Sequence, residues 1–577
     1  MLDINTCRWE ISNVIRAIGF ASNDYEVMVI TVAYLLYYVD IEDKNLTIDE
    51  IMEKYKLDTG ITYFIKENAA NVFNRKNLDK FFDIKEKYDS EVFKELILDR
   101  NDEISESMGR FNEPHTPKSV EKLALKLLDI KKTSYVADLC CGVGTVALSM
   151  ANSGLGAKVY GFEINSQRAL VAKIKNLISS SKCDIEQKDV FYLPKDKYKF
   201  DRIFSDHPFS MKIQMMGEGK EYLDSLINKY PETVKLRSSD WLFNYLIMDL
   251  LKENGRAVTI MTNGASWNTE DTAFRKTFVE KGYIEAIISL PSALFYSTSI
   301  ATTMIVLSKK TNSDGIFMVD ASNSFEKGRR FNQLSEDNIQ EILDVCNNKK
   351  SSIGRIVSVE EIKENEYALN PQRYLTEKID IKNGIKFNEV IKNITRGSNI
   401  KAAELDGISS SEETDYQYLM LANIKDGIID ENLPYISELD ESMEKYCVHK
   451  DNLVISKNGA PYKVAVVDLP DDKKVLANGN LFVIDLDLSK INPYYLKAFF
   501  ESALGKAHLQ SITVGSVMPC IGVKDLKNLV IPVPTLEEQK KIADEYLMLQ
   551  DEIKILRLKT ENAKEKIEHI FDESGVV

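Results

Sequence analysis

Asp206-His207-Pro208-Phe209 is the stretch whose residue types and spacing best suit chemistry. It ends an apolar run, Phe200-Asp201-Arg202-Ile203-Phe204-Ser205, that reads as a buried strand breaking into a tight turn. Such a turn suits a grip on a planar NH2 group. Asp206 Oδ and the backbone carbonyl of His207 accept its two N–H bonds, and the Phe209 ring stacks on the flat face. That grip polarises an exocyclic amine towards a methyl donor. A tetrapeptide this short also occurs as an ordinary strand-to-loop turn, so its meaning rests on the residues around it.

Upstream lies a candidate ligand cleft. Val136-Ala137-Asp138-Leu139-Cys140-Cys141-Gly142-Val143-Gly144-Thr145 reads as strand, glycine turn and then an apolar helix. Gly142 and Gly144 let backbone approach a ligand at a helix N-terminus, where free N–H groups point outward. The third glycine of the dinucleotide fingerprint is missing. A second strand, Lys158 to Phe162, ends at Glu163, the position from which an acid grips ribose hydroxyls in nucleoside-binding sheets. A third segment ends in Lys188-Asp189-Val190, and Asp189 is placed to accept from an adenine amine. Taken singly, each is as well explained by a turn glycine or a surface carboxylate. In order, each at a strand end, they fall on the carboxyl edge of one parallel sheet, where open α/β sheets bind ligands.

Asp138-Leu139-Cys140-Cys141-Gly142-Val143-Gly144 followed by Asp206-His207-Pro208-Phe209 resembles the amino-methyltransferases that use S-adenosylmethionine. The surroundings resemble the modification subunit of type I restriction–modification systems. The resembling segments are Gly109-Arg110-Phe111-Asn112-Glu113-Pro114-His115-Thr116-Pro117, Leu290 to Thr302, Asp320-Ala321-Ser322, Phe325-Glu326-Lys327-Gly328 and Asn370-Pro371-Gln372-Arg373-Tyr374. The likeness runs from about Met1 to Tyr374. It implies a cofactor lying across Gly142 and Gly144 beside Cys140, its ribose on Glu163 and its adenine edge near Asp189. Asp138 orients the methionine amine, His115-Thr116-Pro117 closes that end, and Asp206 borders both cofactor and target. Catalysis is assigned to Asp206, His207, Pro208 and Phe209, acting on adenine N6, with no metal. There are departures: the family has Asn-Pro-Pro-Phe where this chain has Asp206 and His207, and an aromatic where it has His115.

The C-terminal third resembles half of a type I specificity subunit, one target-recognition domain with one spacer helix. The residues are Leu421 to Gly427, Leu453 to Gly459 and Ile531 to Gln539. Ile542, Tyr546, Leu549, Ile553, Leu556, Thr560, Ala563, Ile567 and Ile570 alternate steps of four and three, a coiled-coil seam of about four heptads. A helix packed on its own domain by a narrow stripe is the alternative. The expected partners are double-stranded DNA with a flipped adenine and a second copy of the chain joined through this helix. That pairing predicts two identical half-sites in inverted orientation. The chain shows no G-x-x-x-x-G-K-[ST] phosphate loop and no convincing nuclease motif, so cleavage would have to come from a separate restriction subunit.

The expected fold class is α/β. Residues 1–108 form a helical N-terminal domain, 109–375 a doubly wound class I methyltransferase sheet, 376–535 an α+β target-recognition domain, and 536–577 a coiled-coil helix. The stretch from Asn312 to Tyr374 is expected as a polar, partly helical appendage that packs back on the catalytic domain. A chain of 577 residues is too long for one core. With 44% hydrophobic and 28% charged residues and no basic-plus-apolar leader, it reads as cytoplasmic. The longest apolar run, Val27 to Val39, is too short to span a bilayer. Seven scattered cysteines with no C-x-x-C pair argue for free thiols and against zinc, and Cys140 and Cys141 read as packing residues. The net charge of −15 opposes nucleic-acid binding unless a local basic stripe exists, for which Lys327, Arg329, Arg330, Lys457 and Lys463 are candidates. Two other functions share these residues: methyl transfer to an RNA base or protein glutamine, and sequence-specific DNA binding without catalysis.

Overall fold

The computed structural model describes residues 4–569 except 20–24, 101–115, 154–156, 210–217, 232–238, 296–297, 311–314, 330, 350, 376–378, 380, 431, 460, 470–472 and 515–518. His115, Arg330 and Ile570 therefore lie outside the described residues, as does the 108/109 boundary. The chain divides into two units, Met1–Leu375 and Thr376–Val577.

The first unit is built on a nine-stranded sheet. In chain order its strands are β1 (Tyr135–Asp138), β2 (Lys158–Glu163), β3 (Cys183–Gln187), β4 (Phe200–Ser205), β5 (Leu251–Thr262), β6 (Ile284–Ser289), β7 (Thr302–Ser308), β8 (Ile316–Asp320) and β9 (Gly354–Val357). Their spatial order is β9-β8-β6-β7-β5-β4-β1-β2-β3. Strands β1 to β5 are mutually parallel, β7 runs antiparallel between β5 and β6, and β8 is parallel to β6. From β1 the chain winds outward through β2 and β3, then returns to start again at β4. The crevice between β1 and β4 is thus the switch point, where open α/β sheets hold ligands. All seven residues of β7 are buried, as expected of a strand covered on both faces.

The expected appendage is partly helical, as Glu336–Cys346 and Val359–Glu364 show, but it also supplies two strands not expected from the sequence. Ile316–Asp320 and Gly354–Val357 extend the main sheet, pairing with β6 and β8 respectively. Short runs of four or five residues among polar neighbours carry little period; the free edge of β6 recruits the first, and the first then recruits the second.

Among the described residues, seven α-helices precede the sheet, and the first six, from Ile4–Ala17 to Ser90–Leu98, form an N-terminal bundle. Helix Tyr25–Tyr38 is buried from Val27 to Leu36, so it forms the middle of this bundle. Helix Ile48–Lys54 is set by a capping box, with Glu50 N–H donating to Thr47 and Thr47 N–H to Glu50. The bundle core continues into Val143 of the glycine turn and Leu170, Val171, Ile174 and Ile178 of helix Ser166–Ile178. The N-terminal helices thus brace the glycine turn from behind.

The second unit holds a four-stranded antiparallel sheet (Ile391–Arg396, Leu453–Ser456, Val464–Val466, Leu481–Leu486) and a five-stranded mixed sheet centred on Tyr416–Leu419 and Lys474–Ala477. Gly384–Lys386 pairs with Val530–Pro532, so the start and end of the unit's globular part meet. A 33-residue helix, Leu536–Glu568, follows, opened by a Thr535–Glu538 capping box. Its first turns pack on helix Pro493–Glu501: Gln539 and Ala543 are buried, and the Tyr546 hydroxyl donates to Glu501 at 2.5 Å. Beyond them the seam is uncovered, with Leu549 49% and Ile553 42% exposed. Among the described residues no helix is long and apolar enough to cross a membrane.

Candidate functional site

The strand ends β1, β2 and β4 carry the candidate residues. Asp138 closes β1 opposite Phe204 of β4, so Asp138 and Asp206, the residue just past β4, lie at the same edge of the sheet. The turn after β1 is stitched down by Leu139 N–H to the Phe204 carbonyl (3.1 Å) and Cys141 N–H to the Phe162 carbonyl (2.9 Å). Gly142 and Gly144 have φ of +54° and +83°, a region L side chains avoid. They are glycines for different reasons. A Cβ on Gly144 would meet Ala172 Cβ at 2.9 Å, so this glycine lets helix Thr145–Asn152 approach helix Ser166–Ile178. A Cβ on Gly142 would meet nothing within 4 Å, so that position borders open space.

Glu163, at the end of β2, is buried and turns back under this turn. Its Oε2 accepts from Gly142 N–H (3.0 Å) and its Oε1 from Asn165 N–H (2.7 Å). Burial pushes its carboxyl up, with those N–H groups opposing. Asp138 is almost wholly buried and is pushed well above the carboxylate range, first by burial and then by the neighbouring Asp206, Glu163 and Glu121 charges, while Cys140 N–H, 3.4 Å away, opposes. Asp206 is half-buried, and its Oδ2 accepts from Thr116 Oγ1 at 2.6 Å. Its carboxyl is pushed up to about 6, chiefly by burial. Thr116 and Pro117 lead into helix Lys118–Leu128, so the segment before β1 reaches the end of β4. Asp189 follows β3 and caps a short turn by accepting from Phe191 N–H at 3.0 Å. Burial and the surrounding carboxylates push the Cys140 and Cys141 thiols well up, which disfavours thiolate chemistry.

On the β4 turn, Phe209 is half-buried and meets Phe295 edge-on, ring centroids 5.7 Å apart. His207 is turned inward, 1% exposed, and lies flat on Phe243. Ser239 and Asp240, at the start of helix Ser239–Leu250, face the same turn. None of Phe295, Ser239, Asp240 and Phe243 was expected to take part. The sequence signal for Asp240 is an acid opening an apolar helix, which ordinary dipole complementarity explains equally well.

Strand order 3-2-1-4-5-7-6 with a reversed seventh strand, a glycine turn after β1 and acids ending β1 and β2 define a class I S-adenosylmethionine-dependent methyltransferase fold. The chain belongs to the N-6 DNA Methylase family, which residues 90–382, half of its length, match. Residues 408–569 match the type I restriction modification DNA specificity domain, so the chain fuses the two. It is 29% identical over 316 residues to the type I restriction enzyme MjaVII methylase subunit of Methanocaldococcus jannaschii, covering 48% of this chain and 53% of that protein. It is 28% identical over 341 residues to the MpnII methylase subunit of Mycoplasma pneumoniae, covering 54% and 60%. The chain thus spans about half the length of the curated relatives it matches. Among solved structures, the type I restriction-modification methyltransferase subunit of Streptococcus thermophilus aligns with a TM-score of 0.49 at 17% identity, covering 64% of this chain and 98% of that one.

S-adenosylmethionine is the cofactor that goes with this fold and family, and the residues fit it. Open space beside Gly142 admits a ligand against the backbone. The carboxyls of Asp138, Glu163 and Asp206, with the last two close enough to raise the first, suit a molecule carrying a sulfonium and an ammonium. The two glycines separate cleft from scaffold. Gly144→Ala is expected to destabilise the first unit by roughly 1–3 kcal/mol through the Ala172 overlap. Gly142→Ala should lower the thermal midpoint less, yet raise the cofactor Kd by about tenfold or more. Thermal melts and calorimetric titration with S-adenosylmethionine read the two effects; equal losses of affinity in both would refute this assignment.

Proposed function

We propose that this chain is a site-specific DNA methyltransferase that modifies adenine N6 in a sequence chosen by its own fused recognition unit. The observation that carries the reading is the pairing of β1 with β4. It sets an amine-gripping turn, Asp206 to Phe209, beside the cleft bounded by Asp138, Gly142 and Glu163. An adenine amine is out of reach inside the duplex, so the target base must be extruded.

Glu163 holds the ribose hydroxyls, Asp189 accepts from the cofactor's adenine edge, and Asp138 with Thr116-Pro117 borders the methionine end. When bound, S-adenosylmethionine supplies an electrophilic methyl group. The extruded adenine stacks on Phe209. Thr116 holds Asp206 Oδ2, leaving Oδ1 as an acceptor for N6–H. The His207 carbonyl accepts the second N6 hydrogen. Two acceptors in the plane of the amine draw its lone pair out of conjugation with the ring and orient it for attack.

In the second unit Lys463 Nζ donates to the Leu421 and Ile424 carbonyls, 2.9 and 2.6 Å away, so its charge ties loops together within the unit. The basic surface that meets DNA phosphates then draws on other side chains, Lys457 among the candidates. The uncovered seam from Leu549 to Ile567 pairs with the same seam of a second copy. One recognition unit per chain becomes two, reading inverted half-sites. A separate restriction subunit supplies cleavage, and the complex works in the cytoplasm. Leu549→Glu with Ile553→Glu is expected to halve the mass measured by light scattering without lowering the thermal midpoint. An unchanged mass would discard the seam.

The function is tested by single-molecule methylome sequencing of a methyl-free host with and without the gene, alongside labelled methyl transfer to that host's DNA. N6-methyladenine at one motif is expected. Its absence from cells and purified reactions alike would sink the reading and favour a DNA-binding scaffold.

A further inference from the structure

The Asn-Pro-Pro-Phe motif that this turn resembles has proline where this chain has His207, and proline fixes φ for the turn without help from its neighbours. Histidine gives up that constraint. Its side chain is engaged beneath the turn instead. The His207 ring stacks on Phe243 with centroids 4.4 Å apart and planes 12° from parallel. Nε2 lies 3.4 Å from Asp240 Oδ1, close but not aligned as a hydrogen bond, with both side chains fully buried, and Nδ1 lies 3.4 Å from Ser205 Oγ. Asp240 Oδ2 accepts from Thr262 Oγ1 at 2.6 Å, which ties it to the end of β5. One residue earlier on the same helix, Ser239 Oγ donates to the Pro208 carbonyl at 3.2 Å. The opening turns of helix Ser239–Leu250 thus hold the catalytic turn at two consecutive residues, by the His207 ring and by the Pro208 oxygen.

A buried carboxylate–imidazole pair is a poor way to gain stability, because desolvating both groups offsets their attraction, and an apolar pair of the same volume serves at least as well. What such a pair supplies is registry. Stacking alone lets the ring slide over Phe243; the Ser205 hydroxyl at Nδ1 and the Asp240 carboxyl facing Nε2 favour one resting place.

We infer that His207 and Asp240 are positioning residues that replace proline's fixed φ, locking the His207 carbonyl and Asp206 in the geometry that receives the target amine. The inference rests on the proposed methyl transfer, and its test separates the two. Full-length protein is assayed with labelled S-adenosylmethionine on DNA from the methyl-free host. No transfer by the unaltered chain overturns the proposed function. Given transfer, His207→Ala and Asp240→Asn should each lower kcat about 10- to 100-fold, as expected of a turn displaced by up to an ångström. The KM and Kd for S-adenosylmethionine should change less than about threefold, because the cofactor cleft is untouched. The double variant should be no slower than the slower single one. His207→Pro should restore kcat to within about threefold, and in that background Asp240→Asn should cost little.

Multiplying losses, losses confined to the cofactor KM, or a His207→Pro variant as slow as His207→Ala would overturn the inference. Thermal midpoints of the same variants, measured without cofactor, give a reading that needs no turnover. Non-additive shifts are expected, and additive ones would refute coupling of the pair. If His207→Ala does not fold, His207→Pro and Ser239→Ala decide: the first must be active, and the second must lower kcat while leaving cofactor affinity intact.

Discussion

Asp206→Ala is expected to lower methyl transfer about 10²- to 10³-fold at saturating DNA and cofactor, the usual cost of removing one preorganised polar contact to a reacting group. Asp206→Asn should stay within about tenfold, because the amide oxygen can accept N6–H in place of Oδ1 while its NH2 group donates to the Thr116 hydroxyl that Oδ2 accepted from. The two also part in their pH dependence. The Asp206 carboxyl is pushed up to about 6 by burial, with Thr116 and then His207 acting against the rise. Protonation converts an acceptor into a donor, so kcat/KM should fall as pH drops through about 6. Asparagine cannot protonate there, and Asp206→Asn should lose that acid limb. Stability follows the opposite sign. Because the folded pKa lies above the ordinary 3.8, ionised Asp206 opposes folding. That penalty is full above about pH 6, shrinks between 6 and 4, and vanishes below. Asp206→Asn should therefore gain on the order of 1 kcal/mol at pH 7, and nothing at pH 3.5. An Asp206→Asn variant as dead as alanine, or one with an unchanged acid limb, would remove Asp206 from the grip.

Phe209→Ala is the second large effect. Base–aromatic stacking contributes about 1–3 kcal/mol per base, so the transition state for an extruded adenine should lose about 5- to 150-fold in kcat/KM for DNA. The Phe209 ring touches Phe295 and is not among the side chains that bound the glycine turn. The Kd for S-adenosylmethionine is therefore expected to change less than about threefold. Phe209→Tyr or Phe209→Trp keeps a flat face and should recover most of the rate. A large loss of cofactor affinity in Phe209→Ala would refute the placement of this ring on the target side.

Much of the candidate site was legible in sequence because its chemistry is local. Gly142 and Gly144 announce a left-handed turn, Glu163 ends an alternating strand, and Asp206 to Phe209 breaks one. Each needs only a few neighbouring residues to be read. The continuous apolar runs Tyr283 to Leu290 and Thr302 to Leu307 read as strands in the sequence, and β6 and β7 fall within a residue of those limits. The different duties of the two glycines were not legible. Open space beside Gly142 and Ala172 against Gly144 are facts about another helix.

Type and order along the chain, then, were determined by sequence: strands alternating with helices, acids at strand ends, a seam of heptads, and a fusion of two families. The tertiary structure alone decided what meets what. It placed β8 and β9 on the sheet, carried the N-terminal bundle core into helix Ser166–Ile178, and buried the first turns of the C-terminal helix while leaving Leu549 and Ile553 uncovered. It also set Asp240 under His207, which in sequence was only a departure from proline. The reason is physical. Local propensities act over a few residues, whereas a buried pair 33 positions apart forms only once strand order has brought β4 and β5 side by side and seated helix Ser239–Leu250 against the turn between them.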